Sequence, residues 1–352
     1  MTGPVKFGII GAGAISLGSA REIQAHADAE IVAICDANTA RVNRLGDALG
    51  VRQRYDNSRE LIADGNVDAI YIAVPNVFHA PLAEEALERG KHVILEKPFA
   101  LNAREARAVA DAATRTGKLF MLGMNQRFVP AAQQIRSLVA AGRLGEIYHA
   151  RACWLRRRGI PSIGTWFSSK ALAGGGALLD IGVHMLDLSL YLMDNFRPEA
   201  VTGATYTRFG NRGQGEGGWG ISDREDLSFD VDDFATALIK LAGGATLQLD
   251  VSWALHQGQA NVMNVNLFGT EAGASVYPAE LYLAGDKPAE YQVIQNPDAP
   301  LQFGHTSRFH NFVNAIRGFE ALCVTLDQAL AVQSIIDAIY LSCSTGREVR
   351  MS

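Results

Sequence analysis

The sequence predicts an α/β protein whose first third forms a doubly wound parallel sheet, and three observations support this fold class. Short apolar segments alternate with helical patterns over residues 1–125. The first segment, Val5–Ile10, leads into a glycine turn and then a helical pattern. The second, 30–36, ends in an acidic residue about twenty residues beyond that turn. Strands that alternate with helices form parallel sheets with helices on both faces.

The composition is that of an ordinary globular chain with room for two domains. Its 352 residues are 48% hydrophobic and 20% charged, and domains usually have roughly 100–200 residues. A net charge of −5 gives no electrostatic basis for binding nucleic acid, so we expect no such partner. The four cysteines have no metal-ligand spacing. We therefore predict free thiols in a reducing compartment and no metal site.

The chain has no pattern that predicts secretion or membrane insertion. The N-terminus enters an apolar strand without a charged lead and a cleavage site. No apolar run approaches the ~18 residues expected of a membrane span. We therefore predict a cytoplasmic protein that does not bind membranes.

The glycine turn 11–16 has the strand–turn–helix context that a dinucleotide-binding fingerprint requires. Gly11 permits the tight turn, and Gly13 lets the backbone approach a pyrophosphate, which a helix N-terminus attracts. The third small position is Ser16 rather than Gly or Ala, which weakens the match. We predict a dinucleotide here, contacted by Gly11, Gly13, Ala14 and Ile15.

Asp36 is the acidic residue that ends the second strand. Its carboxylate can accept hydrogen bonds from both ribose hydroxyls and would repel a 2′-phosphate, which favours NAD. Arg41 and Arg44 lie close enough in sequence to keep NADP as an alternative. A second interpretation is that Asp36 caps the next helix.

The alternation continues to residue 125. Helices are predicted at 41–49, 58–64, 79–89 and 102–116, and strands at 67–74, 92–95 and 119–124. Ligands of such sheets bind beyond the carboxyl ends of the strands. The strand ends predicted to share one crevice are Gly11, Asp36, Pro75, Glu96 and Asn125.

Lys97 follows one of these strands and precedes Pro98. The proline favours extended geometry at Lys97 and permits a cis peptide bond. A cation at the ligand edge is a candidate for polarising a substrate hydroxyl. The alternative is a surface lysine in a turn.

The chemistry is expected in the stretch 174–188. The glycines 174–176 end a loop, and the apolar helical pattern that follows is interrupted by Asp180 and His184. Their i,i+4 spacing places them on one face of an α-helix, where a carboxylate and an imidazole can form an acid/base pair. The alternative is a buried structural histidine beside an exposed aspartate.

Residues 126–352 are predicted to form a second α/β domain. Strands are predicted at 147–155, 201–208, 234–241, 245–253, 261–269 and 274–277. Helices are predicted at 130–141, 308–319 and 326–343, with Asp327 capping or preceding the last of them. Two of these strands, joined by Gly243-Gly244, form an antiparallel hairpin. A sheet with one uncovered face suits subunit pairing, so we predict a homo-oligomer, a dimer or a tetramer. The glycine-rich segment 210–222 and the acidic segment 223–233 are expected to cover the site or contact a subunit.

Three further residues in this region have two interpretations each. Arg127 could anchor a substrate hydroxyl or only pin the domain junction. Trp166 could pack on a sugar face or be a core aromatic. The basic run 156–158, with Arg157 at its centre, could bind an acidic sugar or be a solvated face.

Together these motifs resemble the Gfo/Idh/MocA family of oxidoreductases, and the resemblance runs nearly end to end. The opening 8–13 is similar to the family's nucleotide turn, and 96–100 (EKPFA) to its signature. The stretch from Gly174 to His184 is similar to its substrate-side motif. The order and spacing of the three motifs together are specific.

The resemblance implies a Rossmann domain, 1–125, followed by an α/β domain with an open, mostly antiparallel sheet, 126–352. It implies hydride transfer between NAD(P) and a carbinol carbon of a sugar, cyclitol or related polyol. Lys97 would be the catalytic lysine, Asp180 would bind and orient the substrate, and His184 would accept the proton. Two alternatives remain: an NAD-recycling isomerase, epimerase or glycoside-cleaving enzyme, and a non-catalytic NAD-binding sensor.

These considerations give the predicted site. The predicted substrate-binding residues are Lys97, Arg127, Arg157, Trp166, Asp180 and His184. The predicted cofactor-binding residues, some of which rest only on the resemblance, are Gly11, Gly13, Ala14, Ile15, Asp36, Val74, Pro75, Asn76, His79, Glu96, Lys97 and Asn125.

Overall fold

A computed structural model describes residues 3–218, 225–285, 287 and 290–351. The chain divides into two compact units. Unit 1 is 1–124 with 307–330, and unit 2 is 125–306 with 331–352. The predicted domain boundary after residue 125 lies one residue from the end of the first segment of unit 1 at residue 124. Residues 307–330, which were predicted to belong to the second domain, group with unit 1. Residues 219–222 of the glycine-rich segment, and 223–224 of the acidic one, lie outside the described residues.

The helices and strands alternate through the first third, and strands predominate afterwards. The strands are β1 (Val5–Ile10), β2 (Ala29–Cys35), β3 (Gln53–Tyr55), β4 (Ala69–Ile72), β5 (His92–Leu95), β6 (Phe120–Leu122), β7 (Ile147–Arg156), β8 (Pro198–Tyr206), β9 (Phe234–Leu241), β10 (Thr246–Ser252), β11 (Asn261–Gly269), β12 (Ala272–Ser275), β13 (Glu280–Ala284), β14 (Tyr291–Gln295) and β15 (Val349–Arg350). The α-helices are α1 (Ser16–Gln24), α2 (Thr39–Leu49), α3 (Ser58–Ala63), α4 (His79–Glu88), α5 (Ala103–Thr116), α6 (Pro130–Ala140), α7 (Lys170–Ala173), α8 (Val183–Met193), α9 (Arg308–Arg317) and α10 (Leu326–Thr345).

Unit 1 contains a parallel sheet in the order β3-β2-β1-β4-β5-β6. The central strands β1 and β4 are almost wholly buried, as expected where helices cover both faces of a sheet. The order reverses between β1 and β4, and ligands of such sheets bind at this switch point beyond the strand ends. The predicted doubly wound parallel sheet is confirmed.

Unit 2 contains a sheet in the order β14-β13-β12-β11-β7-β10-β9-β8-β15. Its described strand pairs are antiparallel except β7 with β10. Burial alternates along β9, which is typical of a sheet with one face on a core. Helix α8 packs on β7, and all its residues are buried, because most of them are apolar and Asp187 is paired with Arg127. The predicted mostly antiparallel sheet is confirmed.

Several local differences from the sequence-based expectations have physical causes. The sequence does not predict strands β3, β14 and β15. Strands β3 and β15 are short, and β14 is fully exposed, so the apolar alternation that marks a strand is weak in all three. Asp327 lies inside the first turn of α10. The segment Lys170–Met193 is long and apolar enough to cross a membrane, but 89% of its most apolar 18-residue stretch is buried inside the protein. Burial of this kind is typical of a core helix.

Candidate active site

The glycine turn of unit 1 has the geometry that its sequence predicts. Gly11 has a φ of 103°, and a Cβ there would lie 2.0 Å from the carbonyl oxygen of Ala73. Only glycine fits, because the turn both needs positive φ and touches the end of the neighbouring strand. The hydroxyl of Ser16 donates to the Gly11 carbonyl at 2.7 Å. This hydrogen bond accounts for a serine at the third small position.

The carboxylate of Asp36 lies beside this turn. Its Oδ2 accepts from the backbone N–H of Ala12 at 2.7 Å, and its Oδ1 accepts from that of Asn38 at 2.8 Å. Helix α2 is capped by Asn38, whose Oδ1 accepts from Arg41 N at 3.1 Å, so the helix-cap interpretation of Asp36 is wrong. An ionised carboxylate has about four lone-pair sites, which leaves room for two ribose hydroxyls.

These residues fit a bound dinucleotide. A Cβ built at Gly13 would meet nothing within 4 Å, so the backbone there has open space beside it for a phosphate. Ala14 and Ile15 are exposed at the start of α1. A bound nicotinamide dinucleotide would supply the hydride acceptor, and Gly13, Ile15 and Asp36 would hold it.

His79 joins the segment after β4 to the segment after β5. Its Nε2 lies 2.9 Å from the carbonyl oxygen of Val74, and its Nδ1 lies 2.7 Å from that of Pro98. The ring is buried, and burial lowers its pKa. A neutral imidazole has one N–H, so it donates to one of these carbonyls at a time. Asn76 is buried nearby, and Pro75 is half-buried.

The turn that carries Lys97 is held by a buried ion pair. Arg308 Nη2 donates to Glu96 Oε1 at 2.5 Å, and the hydroxyl of Tyr71 donates to the same oxygen at 2.6 Å. Arg308 Nη1 donates to the carbonyl oxygen of Gly123 at 2.8 Å. Burial by itself raises the pKa of Glu96, but Arg308 outweighs it and holds that pKa below its ordinary value. Lys97 is half-buried at the same turn.

This network changes the predicted role of Glu96. Its carboxylate binds Arg308 and Tyr71, so it anchors the turn that carries Lys97, and its contact with a cofactor stays a prediction. Nothing local in the sequence marks Arg308 as this partner, because it lies 212 positions from Glu96, at the start of an amphipathic helix. The Lys97–Pro98 peptide is cis.

The apolar periodicity predicts one regular α-helix over 178–193 in unit 2, and the structure differs there. Leu178–Gly182 is a π-helix, and α8 begins at Val183. The i,i+4 face rule therefore does not apply across Asp180 and His184, because π-helical hydrogen bonds run from i to i+5. Single π-turns inside helices are frequent at functional sites. His184 is 7% exposed, and Asp180 is half-buried.

The start of this segment is held by Asp232. Its two carboxylate oxygens accept from the backbone N–H groups of Gly176 and Leu178 at 2.8 and 2.9 Å, and Tyr340 donates its hydroxyl at 2.7 Å. A Cβ at Gly176 would lie 1.8 Å from the carbonyl oxygen of Asp232, which explains the glycine. Burial raises the pKa of Asp232, against the opposing effect of these donors.

Two aromatic residues and an arginine surround Asp180 and His184. The indole Nε1 of Trp253 donates to Asp180 Oδ2 at 2.8 Å. The ring of Trp154 lies 6.2 Å from that of His184, and the Arg156 guanidinium lies 4.6 Å from the same indole. Burial lowers the pKa of Arg156, and the nearby charge of Asp180 opposes that shift. Sequence reasoning missed both tryptophans because nothing local marks them.

Three predicted substrate residues lie in different surroundings. Arg127 is fully buried and forms hydrogen bonds with Asp187 through Nε and Nη2 at 2.8 and 2.5 Å, which favours a structural role. Arg157 is exposed and donates to the carbonyl oxygen of Gly258 at 3.3 Å. Trp166 is half-buried and stacked on Phe167.

Val74 and Asn125 are the remaining predicted cofactor positions. Val74 is half-buried after β4, and Asn125 is exposed at the start of a 3₁₀ turn, Asn125–Phe128. Within the described residues, no group of three or more His, Cys, Asp and Glu side chains could hold a metal ion.

The fold and this site define an oxidoreductase with a nicotinamide-binding Rossmann unit. The family description "Oxidoreductase family, NAD-binding Rossmann fold" matches residues 5–124, and "GFO/IDH/MocA C-terminal domain" matches 132–275. The chain therefore belongs to the GFO/IDH/MocA family, and the resemblance noted in the sequence is confirmed.

Individual relatives agree with this assignment. D-glucoside 3-dehydrogenase of Escherichia coli (strain K12) is 31% identical, over 99% of this chain and 98% of its own. Inositol 2-dehydrogenase of Rhizobium meliloti (strain 1021) is 31% identical over 56% and 57%. The structure of levoglucosan dehydrogenase in complex with NADH and levoglucosan has a TM-score of 0.84 at 25% identity, over 99% of each chain.

The activity follows at the level of the class. The protein is an NAD(P)-dependent oxidoreductase of the sugar and polyol dehydrogenase type, with NAD as its cofactor, as the sequence predicted.

Proposed function

We propose that this enzyme oxidises a secondary hydroxyl of a neutral sugar, anhydrosugar or cyclitol with NAD. The proposal rests on one observation: hydrogen bonds with Asp232 and Trp253 hold the segment that carries Asp180 and His184 in place. The names of the relatives point to glycosides, an anhydrosugar and inositol. Each of these substrates carries secondary hydroxyls and no charge.

The charges of unit 2 favour a neutral substrate over a uronate. Burial lowers the pKa of Arg156 and the negative charge of Asp180 opposes that shift, so the positive charge of this arginine is already partly balanced. Arg157 and Arg158 are exposed, where a single ion pair with a substrate is worth little. A carboxylate on the sugar would also be repelled by Asp180.

The proposed mechanism divides the work between three side chains. His184 takes the hydroxyl proton as general base, a step typically worth about 10²–10⁴-fold. Lys97 stabilises the alkoxide character that develops on the oxygen, and Asp180 accepts a hydrogen bond from a substrate hydroxyl. NAD held by unit 1 would supply the hydride acceptor for the same carbon, so that the overall reaction would give a ketone, NADH and one proton.

Two properties of the whole protein are proposed with this function. We propose a homo-oligomer that pairs through the open face of the unit 2 sheet, where Leu238 and Phe268 are 42% and 40% exposed. Exposed apolar side chains on a sheet face are typical of an interaction surface. We also propose a cytoplasmic location, because the cofactor is supplied there and the four cysteines are thiols rather than disulfides.

The test is a substrate screen followed by two substitutions. Inositols, aldoses, anhydrosugars and uronates are assayed for NADH at 340 nm with NAD and NADP in parallel. We expect turnover with neutral substrates and NAD, and a loss of about 10²–10⁴-fold in Lys97→Ala and in His184→Ala, with NAD affinity unchanged in His184→Ala. The matched control, Lys118→Ala, keeps wild-type turnover. Turnover confined to uronates, or full activity of either variant, contradicts the proposal.

A further inference from the structure

We propose that Trp253 is a positioning residue that fixes the direction of the Asp180 carboxylate for substrate binding. The proposal rests on the function proposed above, because it assumes that Asp180 contacts the sugar. Both residues lie in unit 2.

The position of the indole is determined by the sheet. Trp253 directly follows β10 and is fully buried. Its backbone N–H donates to the carbonyl oxygen of Asp233 at 2.9 Å, which continues the pairing of β9 with β10. The ring therefore approaches the π-helix from a rigid strand end rather than from a loop.

The contact with Asp180 is specific. An indole has a single donor and no acceptor, and a buried donor needs a partner. Here Nε1 donates to Asp180 Oδ2 at 2.8 Å, so a carboxylate satisfies it instead of a backbone carbonyl. This bond fixes one oxygen and with it the plane of the carboxylate. The donor is neutral, so it orients Asp180 without cancelling its charge.

The π-helix gives this contact a role in placing Asp180. Asp180 lies inside the π-helix Leu178–Gly182, whose geometry differs from that of a regular α-helix. Gly176 O accepts from Asp180 N at 2.9 Å, which fixes the backbone, whereas the hydrogen bond from Trp253 acts on the side chain. Misplacing a substrate-positioning group by about 1 Å can cost about 10²-fold in rate.

The experiment is a double-mutant cycle between Trp253→Phe and Asp180→Asn. Phenylalanine keeps an aromatic ring and removes the N–H. We expect Trp253→Phe to lower kcat/KM for the sugar by about tenfold to a hundredfold, the value of a hydrogen bond to a charged group, with the KM for NAD unchanged. In the Asp180→Asn background the same change should cost less than about threefold. Equal losses in both backgrounds overturn the proposal, because they indicate a purely structural role.

Two controls separate packing from positioning. Leu249→Ala also removes buried volume on β10, and we expect it to lower the melting temperature without a selective loss of kcat/KM. If Trp253→Phe does not fold, 3-benzothienylalanine incorporated at residue 253 replaces only the N–H by sulfur and gives the same expected loss. Wild-type kcat/KM in that variant overturns the proposal.

One readout is independent of turnover. A crystal structure of the Trp253→Phe variant should show the Asp180 carboxylate in a different orientation from wild type. An unchanged orientation overturns the positioning role even if the dehydrogenase activity is confirmed. An absence of dehydrogenase activity in the wild type contradicts the proposed function and leaves this structural test intact.

Discussion

Two buried carboxylates hold the segments that carry the proposed catalytic residues, and their pKa values shift in opposite directions. Glu96 anchors the Lys97 turn of unit 1, and its pKa lies below the ordinary value. Asp232 holds the glycine loop before Asp180 in unit 2, and its pKa lies above it. Glu96 is paired with the Arg308 guanidinium, whereas the donors to Asp232 are two backbone N–H groups and a phenol. A full counter-charge offsets the cost of burial, and these neutral donors do not.

The largest effect is expected when the counter-charge of unit 1 is removed. Arg308→Met leaves Glu96 buried and unpaired, so the free energy of unfolding should fall by about 3–5 kcal/mol. Arg317→Met is a matched control on the same helix, because its pair with the more exposed Asp28 is worth about 0–1 kcal/mol. Urea unfolding of both variants measures the difference. Equal stabilities would show that the buried pair does not hold the turn.

A smaller effect is expected for the carboxylate of unit 2. Asp232→Asn keeps the size but places an amide N–H₂ where a carboxylate oxygen accepts a hydrogen bond. The free energy of unfolding should fall by about 1–3 kcal/mol, the cost of one unsatisfied buried donor. Urea unfolding at neutral pH measures it. A loss as large as that of Arg308→Met would contradict the distinction between the two carboxylates.

The pH dependence of these two carboxylates should have opposite signs. The pKa of Glu96 is lowered on folding, so its stabilisation is present above the ordinary carboxyl pKa and is lost as pH falls through the folded pKa. The pKa of Asp232 is raised on folding, so its stabilisation is present at low pH and is lost as pH rises through the folded pKa. The stability deficit of Glu96→Gln should shrink on acidification, and that of Asp232→Asn should grow. Urea unfolding at several acidic pH values measures both trends, and parallel trends would be the contradictory result.

The smallest effect is expected from the phenol that donates to Asp232. Tyr340→Phe removes one hydrogen bond and leaves both backbone donors, so the loss should be about 0.5–1.5 kcal/mol. Tyr282→Phe, whose hydroxyl donates to Glu280 near the surface, is the control and should change stability less. Thermal unfolding measures both variants, and a larger loss in the control would count against the role of Tyr340.

The sequence predicts the features whose cause is local. Gly11 is marked by the turn it must make, Asp36 by its place at a strand end, and Gly176 by the loop before an apolar helix. Arg308 and Trp253 could not be predicted, because their partners lie 212 and 73 positions away and depend on tertiary packing. The π-turn at Leu178–Gly182 was also unpredictable, because its apolar spacing is compatible with an ordinary α-helix.

The most direct test of the proposed chemistry follows the hydrogen on the carbinol carbon. A neutral sugar or cyclitol that is turned over is labelled with deuterium at each secondary carbon in turn and incubated with NAD. We predict that one labelled position gives deuterated NADH, detected by mass spectrometry, together with a slower turnover than the unlabelled substrate. Deuterium that stays in the sugar product or appears only in water, with no labelled NADH, would contradict it.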